Sequence, residues 1–270
     1  AKVLRWLCIS LLAYIAVLFV ADVQWDEVVR DLLIPGFTWT KLDIAMLIAL
    51  AGTTISPYLF FWQSAEEVEE RHRVKNYRVS TAHIRAMRGD VFAGMLTGVI
   101  VMTAIMITAS ATLHKNGITD IQTAEQAAAA LQPIAGDYAG VLFLVGIVGV
   151  GLLSVPVLAG ASAYAIAETF GWRESLEKRP SQARAFYAVL LVSILIGLSL
   201  NLIGLNPMTF LFIAAVTNGL AAPFLMAVVW WLANDKKLLG KWRSPLWSRI
   251  LLGIATLAMA LLPLLWVLAP

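Results

Sequence analysis

The chain has 270 residues, of which 60% are hydrophobic and 14% charged, with a mean hydropathy of +0.80 and a formal net charge of +3. Soluble domains are about 45–50% apolar and about 25% charged, so this composition excludes an ordinary water-soluble fold, a disordered chain and a nucleic-acid-binding domain. One cysteine, Cys8, excludes a disulfide framework and a thiolate metal centre, and reads as a small buried hydrophobe.

Seven apolar runs reach the ~20 residues that cross a bilayer core as helix. In chain order they are 3–21, 44–62, 91–113, 138–167, 185–205, 208–233 and 250–269. They are continuous rather than alternating, which argues for helices over strands. The prediction is an all-α integral membrane protein, a single transmembrane domain over residues 1–270. Seventeen Lys and Arg fall in alternate sections (Lys2 and Arg5, Arg71 to Arg88, Arg173 to Arg184, Lys236 to Arg249). Only Arg30, Lys41 and Lys115 fall in the others. Such a bias sets orientation, and it places the beginning of the chain in the cytoplasm. The chain begins with Ala and has an odd number of runs, which predicts upstream helices of the same protein that are missing here.

The loops carry most of the polarity. Residues 63–90 are expected to run the second span out into the cytoplasm, followed by a short amphipathic stretch ending at Arg88. Glu67–Arg71 and Glu69–Arg73 stand at i,i+4 with the acid first, the favourable order. Glu66, Glu70 and His72 read as a solvated helix face rather than a metal site. Within 116–132, Thr123 with Gln126 three residues on predicts a capped short helix. Asn206-Pro207 marks a tight turn between the fifth and sixth spans. Lys236-Lys237 and Trp242-Arg243 read as interfacial anchors. Glu168 closes the fourth span at its cytoplasmic edge. Gly146, Gly149, Gly151 and Gly160 read as close-packing positions.

The spans hold almost no ionisable groups, and His72, His83 and His114 all read as loop residues. No Ser/His/Asp or Cys/His set, no HExxH and no phosphate-cradling loop is present, so the reading is not an enzyme and calls for no cofactor. One stretch stands apart: Ala51-Gly52-Thr53-Thr54-Ile55-Ser56-Pro57-Tyr58 in the second span. Pro57 has no N–H and its ring clashes with the preceding turn. Residue 56 is biased away from helix. Gly52 and three β-branched residues weaken the turn before it. A helix interrupted there exposes carbonyls and half-helix ends at mid-membrane depth, where carriers bind ions. Asn218, mid-span with Gly219 and Pro223 after it, could line a cavity or make an interhelical hydrogen bond.

The segment Gly52-Thr53-Thr54-Ile55-Ser56-Pro57-Tyr58 resembles the sixth-helix motif Gly-Ala-Thr-Val-Met-Pro-His of the Nramp (natural resistance-associated macrophage protein) family of divalent-metal transporters. Leu4-Arg5-Trp6-Leu7 with Leu11-Leu12-Ala13-Tyr14 is similar to the same family's fifth helix, Ile34-Pro35 to the end of the loop that follows, Ala167-Glu168-Thr169-Phe170 to the end of its eighth helix, and Pro223-Phe224 with Asp235-Lys236-Lys237-Leu238-Leu239-Gly240 to its tenth helix and exit. The resemblance implies a LeuT-type helical bundle, of which this chain holds the second inverted repeat and flanking helices. It implies a divalent metal cation as transported ligand, a lipid bilayer as surroundings, and a bacterial plasma (inner) membrane location. It places the metal at the Thr53 carbonyl and at Ser56, with Thr54, Tyr58 and Asn218 as weaker candidates. The family's Met is Ser56 here, and two family histidines are Tyr58 and Gln63. A thioether is a soft ligand, a hydroxyl a hard one. The expectation is secondary transport of Mn²⁺, Fe²⁺ or Mg²⁺ at a hard site, the Nramp-related magnesium transporters sharing the departure. A LeuT-type amino-acid carrier and a non-transporting membrane sensor are the alternatives.

Overall fold

The computed structural model describes residues 12–20, 23–34, 36, 39–73, 80–118, 120–132, 136–176, 178–204 and 206–269. Among them every regular element is helical. We label the α-helices α1 (Leu12–Val20), α2 (Trp25–Leu33), α3 (Lys41–Thr54), α4 (Pro57–Arg73), α5 (Thr81–Thr112), α6 (Ala124–Ala128), α7 (Ala139–Phe170), α8 (Arg184–Leu202), α9 (Pro207–Asn234), α10 (Lys236–Leu239) and α11 (Leu246–Leu268).

Among the described residues five segments are long and apolar enough to cross a membrane: Lys41–Arg71, Thr81–Thr112, Gly136–Phe170, Pro207–Asn234 and Leu246–Leu268. They match five of the seven predicted crossings. The fifth predicted crossing is α8, whose apolar part, Arg184–Leu200, falls below that length. The first predicted crossing lies largely outside the described residues, as does Cys8, and its described part is α1. Large apolar side chains face outward, among them Phe92 at 69%, Leu211 at 65% and Leu257 at 67% exposed. Such faces suit hydrocarbon rather than water, because lipid tails exact no hydrophobic cost from them.

Several helix ends are closed by side chains or glycine. Thr40 and Asp43 form a reciprocal capping box at the start of α3, at 3.2 and 3.3 Å. Thr123 and Gln126 do the same at α6, both bonds 3.3 Å. The Asn206 side chain accepts from the Met208 N–H at 2.9 Å, and Pro207 takes the first helical position of α9, where its missing N–H costs nothing. Gly171 closes α7 with φ 65°, in the left-handed region that glycine enters without strain.

One expectation is corrected. The stretch to Arg88 is not a separate element: α5 starts at Thr81, capped by Ser80, and runs unbroken to Thr112. His83 is therefore helical rather than in a loop. The acids of α4 also reach further than i,i+4: Glu67 meets His83 at 3.7 Å and Glu69 meets Tyr164 at 2.5 Å. Glu67 and Glu69 are half-buried, so residues of other elements reach them.

The chain packs as two units. One comprises residues 1–35 and 62–204. Its core gathers Ala65, Ala163, Tyr164, Ala167, Ala183 and Phe186, with Trp62 and Tyr187 against them. Alanines let α7 and α8 approach, and the aromatics fill the seam, Tyr164 meeting Phe186 edge-on at 4.8 Å between ring centres. The other unit comprises residues 36–61 and 205–270. It packs α3, α9 and α11 around Ala222, Met226 and Met259, with Ala51 and Ile55 partly buried against them.

Candidate metal site

The second unit holds the interrupted helix. In the last turn of α3 the hydroxyls of Thr53 and Thr54 both donate to the Leu50 carbonyl, at 2.9 and 2.8 Å. Such back-bonding competes with the helical ladder and bends helices. Ile55 still donates its N–H to the Ala51 carbonyl at 2.8 Å, but its backbone has left the helix, at φ −106° and ψ 77°. Ser56 is also non-helical, and α4 starts at Pro57, with Leu59 donating to the Ser56 carbonyl at 3.1 Å. The break thus falls on Ile55 and Ser56, within the apolar segment Lys41–Arg71.

Pro57 explains it. A continuous helix needs an N–H at 57 to serve the Thr53 carbonyl, and proline has none. The Ser56 hydroxyl takes over, donating to the Thr53 carbonyl at 2.9 Å and lying 3.4 Å from the Gly52 carbonyl. Ser56 is 3% exposed, so without that bond the carbonyl would lack the donor that Pro57 denies it. Thr53 itself is exposed and Thr54 half-buried. Tyr58 is half-buried in the first turn of α4.

α3 crosses α9 at very short range. A Cβ on Gly52 would stand 2.3 Å from the Ala215 carbonyl oxygen and 2.3 Å from the Gly219 nitrogen. A Cβ on Gly219 would stand 2.3 Å from the Ile48 carbonyl oxygen. Only glycine permits this backbone-to-backbone approach. Asn218, next to Gly219, is half-buried, and its amide makes no hydrogen bond among the described residues. All five residues picked from the sequence, Thr53, Thr54, Ser56, Tyr58 and Asn218, therefore belong to one packed unit. The sequence reading gave Gly52 only a helix-weakening role; the Ala215-x-x-x-Gly219 spacing, small residues one turn apart, was the signal for the crossing.

The donors in this stretch are neutral oxygens. A carbonyl keeps a second lone pair when it accepts one bond, and a donating hydroxyl keeps its acceptor pairs. Such donors suit hard cations. No carboxylate stands between Ile44 and Trp62. Among the described residues no group of three or more His, Cys, Asp or Glu could hold a metal. The stretch thus offers neutral oxygens and no negative charge of its own.

A second polar cluster lies in the other unit. A cavity of about 530 Å³ is lined by Glu69, Tyr164, Glu168, Glu174 and Lys178, among others. The Tyr164 hydroxyl donates to Glu69 Oε1 at 2.5 Å and accepts from the Leu176 N–H at 3.1 Å. Burial first, then the charges of Glu168 and Glu69, pushes the Glu174 carboxyl above its ordinary range, while Lys178 pulls it down. Its Oε2 is enclosed without a hydrogen-bond partner. Nothing local in the sequence announces this cluster. Gly160 does pack closely, its Cβ position 2.4 Å from Trp62 Cζ3, whereas Gly151 faces open space.

Long apolar helices, outward apolar faces and a break inside one of the crossings define a polytopic α-helical membrane protein with an interrupted span. The family model described as natural resistance-associated macrophage protein-like (Nramp) matches residues 1–269, and the chain belongs to that family. It is 23% identical over 240 residues to a divalent metal cation transporter MntH of Caldanaerobacter subterraneus subsp. tengcongensis, covering 89% of this chain and 54% of that protein. It is 29% identical over 236 residues to MntH of Vibrio campbellii, covering 87% and 52%. It is 26% identical over 234 residues to MntH of Clostridium acetobutylicum, covering 84% and 50%. The chain thus spans about half the length of these curated relatives.

Proposed function

We propose that the chain is the part of a divalent-metal transporter that contributes the interrupted helix to the ion path. The observation that carries this reading is the break at Ile55 and Ser56 inside an apolar crossing, with Ser56 buried. The family membership and the printed names of its relatives give the substrate class. In this reading residues 1–270 act as one transmembrane domain of a LeuT-type bundle, in a bacterial plasma membrane, with the basic loops in the cytoplasm. The Thr53 carbonyl and Ser56 hydroxyl contact the cation, with Thr54, Tyr58 and Asn218 near its path. Transport is secondary, by alternating access around the break. The missing carboxylate comes from helices upstream of Ala1.

Neutral oxygen donors favour hard cations, so Mg²⁺ and Mn²⁺ are the proposed cargo ahead of Cd²⁺, with Fe²⁺ between them. No catalytic step and no resident cofactor enters this reading. The test is metal flux into proteoliposomes carrying the whole transporter. Entry of Mn²⁺ or Mg²⁺ is expected, and Ser56→Met should raise the preference for Cd²⁺ over Mg²⁺. Intact protein that admits no divalent ion would sink the proposal. An unchanged ion preference in the Met variant would remove Ser56 from the path.

A further inference from the structure

At one end of the second unit, two arginines converge on a neutral residue. Arg249 Nη1 donates to Asn234 Oδ1 at 2.8 Å, and Arg243 Nη2 reaches the same oxygen at 3.5 Å. The amide is fixed in that orientation, because Asn234 Nδ2 donates to the Trp230 carbonyl at 2.8 Å. Trp230 Nε1 in turn donates to the Arg249 carbonyl at 2.9 Å, tying the end of α9 to the start of α11. Both guanidiniums are half-buried, and both Nε atoms are enclosed with no hydrogen-bond partner. Among the described residues neither meets a carboxylate. The nearest acid in sequence, Asp235, accepts from the N–H groups of Lys237 and Leu238 at 2.7 and 3.3 Å.

Two like charges gathered on one neutral oxygen repel each other, and their desolvation is not offset within the unit. The arrangement is stable in the presence of an anion. Its chemistry is legible: forked donors on two arginines match the oxygens of a phosphate. Its place narrows the source. Asn234 ends one membrane-length helix and Arg249 lies in the first turn of another. Trp231 at 64% and Trp247 at 66% exposed flank them, the aromatic signature of the headgroup level. Between residues 235 and 249 five basic residues stand against one acid. We propose that Asn234, Arg243 and Arg249 form a binding site for the phosphate group of an anionic lipid.

The test uses the whole transporter, purified in mild detergent and stripped of lipid, with thermal unfolding as the readout, so it does not depend on transport. Dioctanoyl phosphatidylglycerol should raise the Tm saturably, while the phosphatidylcholine of equal chain length and inorganic phosphate should not. Arg243→Gln and Arg249→Gln should each raise the half-saturating lipid concentration about tenfold or more. Asn234→Asp gives both arginines an internal counter-ion, so it should abolish the lipid response while keeping or raising the lipid-free Tm. Equal responses to the two lipids, or an unaltered response in Asn234→Asp, would overturn the site. A response to inorganic phosphate matching that to phosphatidylglycerol would overturn the lipid as its occupant.

Discussion

Gly52 and Gly219 face each other where α3 crosses α9, so near that a Cβ on Gly52 would stand 2.7 Å from the Gly219 Cα. The atoms in the way are backbone, which cannot turn aside as a side chain end can. Gly52→Ala and Gly219→Ala should each destabilise by about 1–3 kcal/mol or more, the cost of overpacking. Gly151→Ala, with nothing in reach, is the control. Unfolding in detergent measures all three, and equal Tm values would refute the crossing.

Pro57 and the break can be separated from one another. Pro57→Ala restores an N–H that can serve the Thr53 carbonyl, lifting a helix penalty of about 3 kcal/mol. If the break is there for transport, this variant should be as stable as the parent or more so, yet slower in metal flux. A variant that keeps full flux would show that the interruption is incidental.

Ser56→Ala removes the hydroxyl that serves the Thr53 carbonyl at 2.9 Å. Leaving the part-buried Thr53 carbonyl short of its donor costs about 0.5–1.5 kcal/mol. The double variant Ser56→Ala, Pro57→Ala should recover much of this, because the new N–H replaces the lost O–H. A double-mutant cycle of Tm values reads the coupling; additivity would mean that the two residues do not share the carbonyl.

Glu174 gives the first unit a pH dependence of definite sign. Its folded-state pKa is raised, so the folded chain binds more protons than the unfolded chain between the two values. The associated stability is present below the ordinary glutamate range and is lost as pH rises through the raised value. Glu174→Gln should therefore raise the Tm at neutral pH and flatten its fall from acid to neutral pH. A slope identical to that of the parent would assign the dependence to another group.

Tyr164→Phe tests the same cavity without changing charge. It deletes a donor to Glu69 and an acceptor for the Leu176 N–H, and should destabilise by about 1.5–3 kcal/mol. A fall in Tm is expected. A Tm equal to the parent's would show that water replaces the hydroxyl.

Much of the architecture was legible because it rests on local properties. Apolar run length decides whether a segment can cross a bilayer, and five crossings of the seven predicted meet that measure. The interruption was legible because a missing N–H at Pro57 acts on the turn directly before it. The capping pair at Thr123 and Gln126 is local in the same way. The partners of the α4 acids were not legible: i,i+4 spacing named Arg71 and Arg73, while Glu69 meets a tyrosine 95 residues away.

By itself the sequence determined that this is a helical membrane protein, where one of its helices must part, and that neutral oxygens stand at the parting. Each follows from composition or from one residue acting on its neighbours. Only the tertiary structure decided which glycines lie backbone to backbone, which tyrosine holds Glu69, and that Arg243 and Arg249 share Asn234 with no acid among the described residues to answer them. Those relations depend on which helix faces pair. Pairing is settled by the packing of segments far apart in the chain, a property no short window of residues contains.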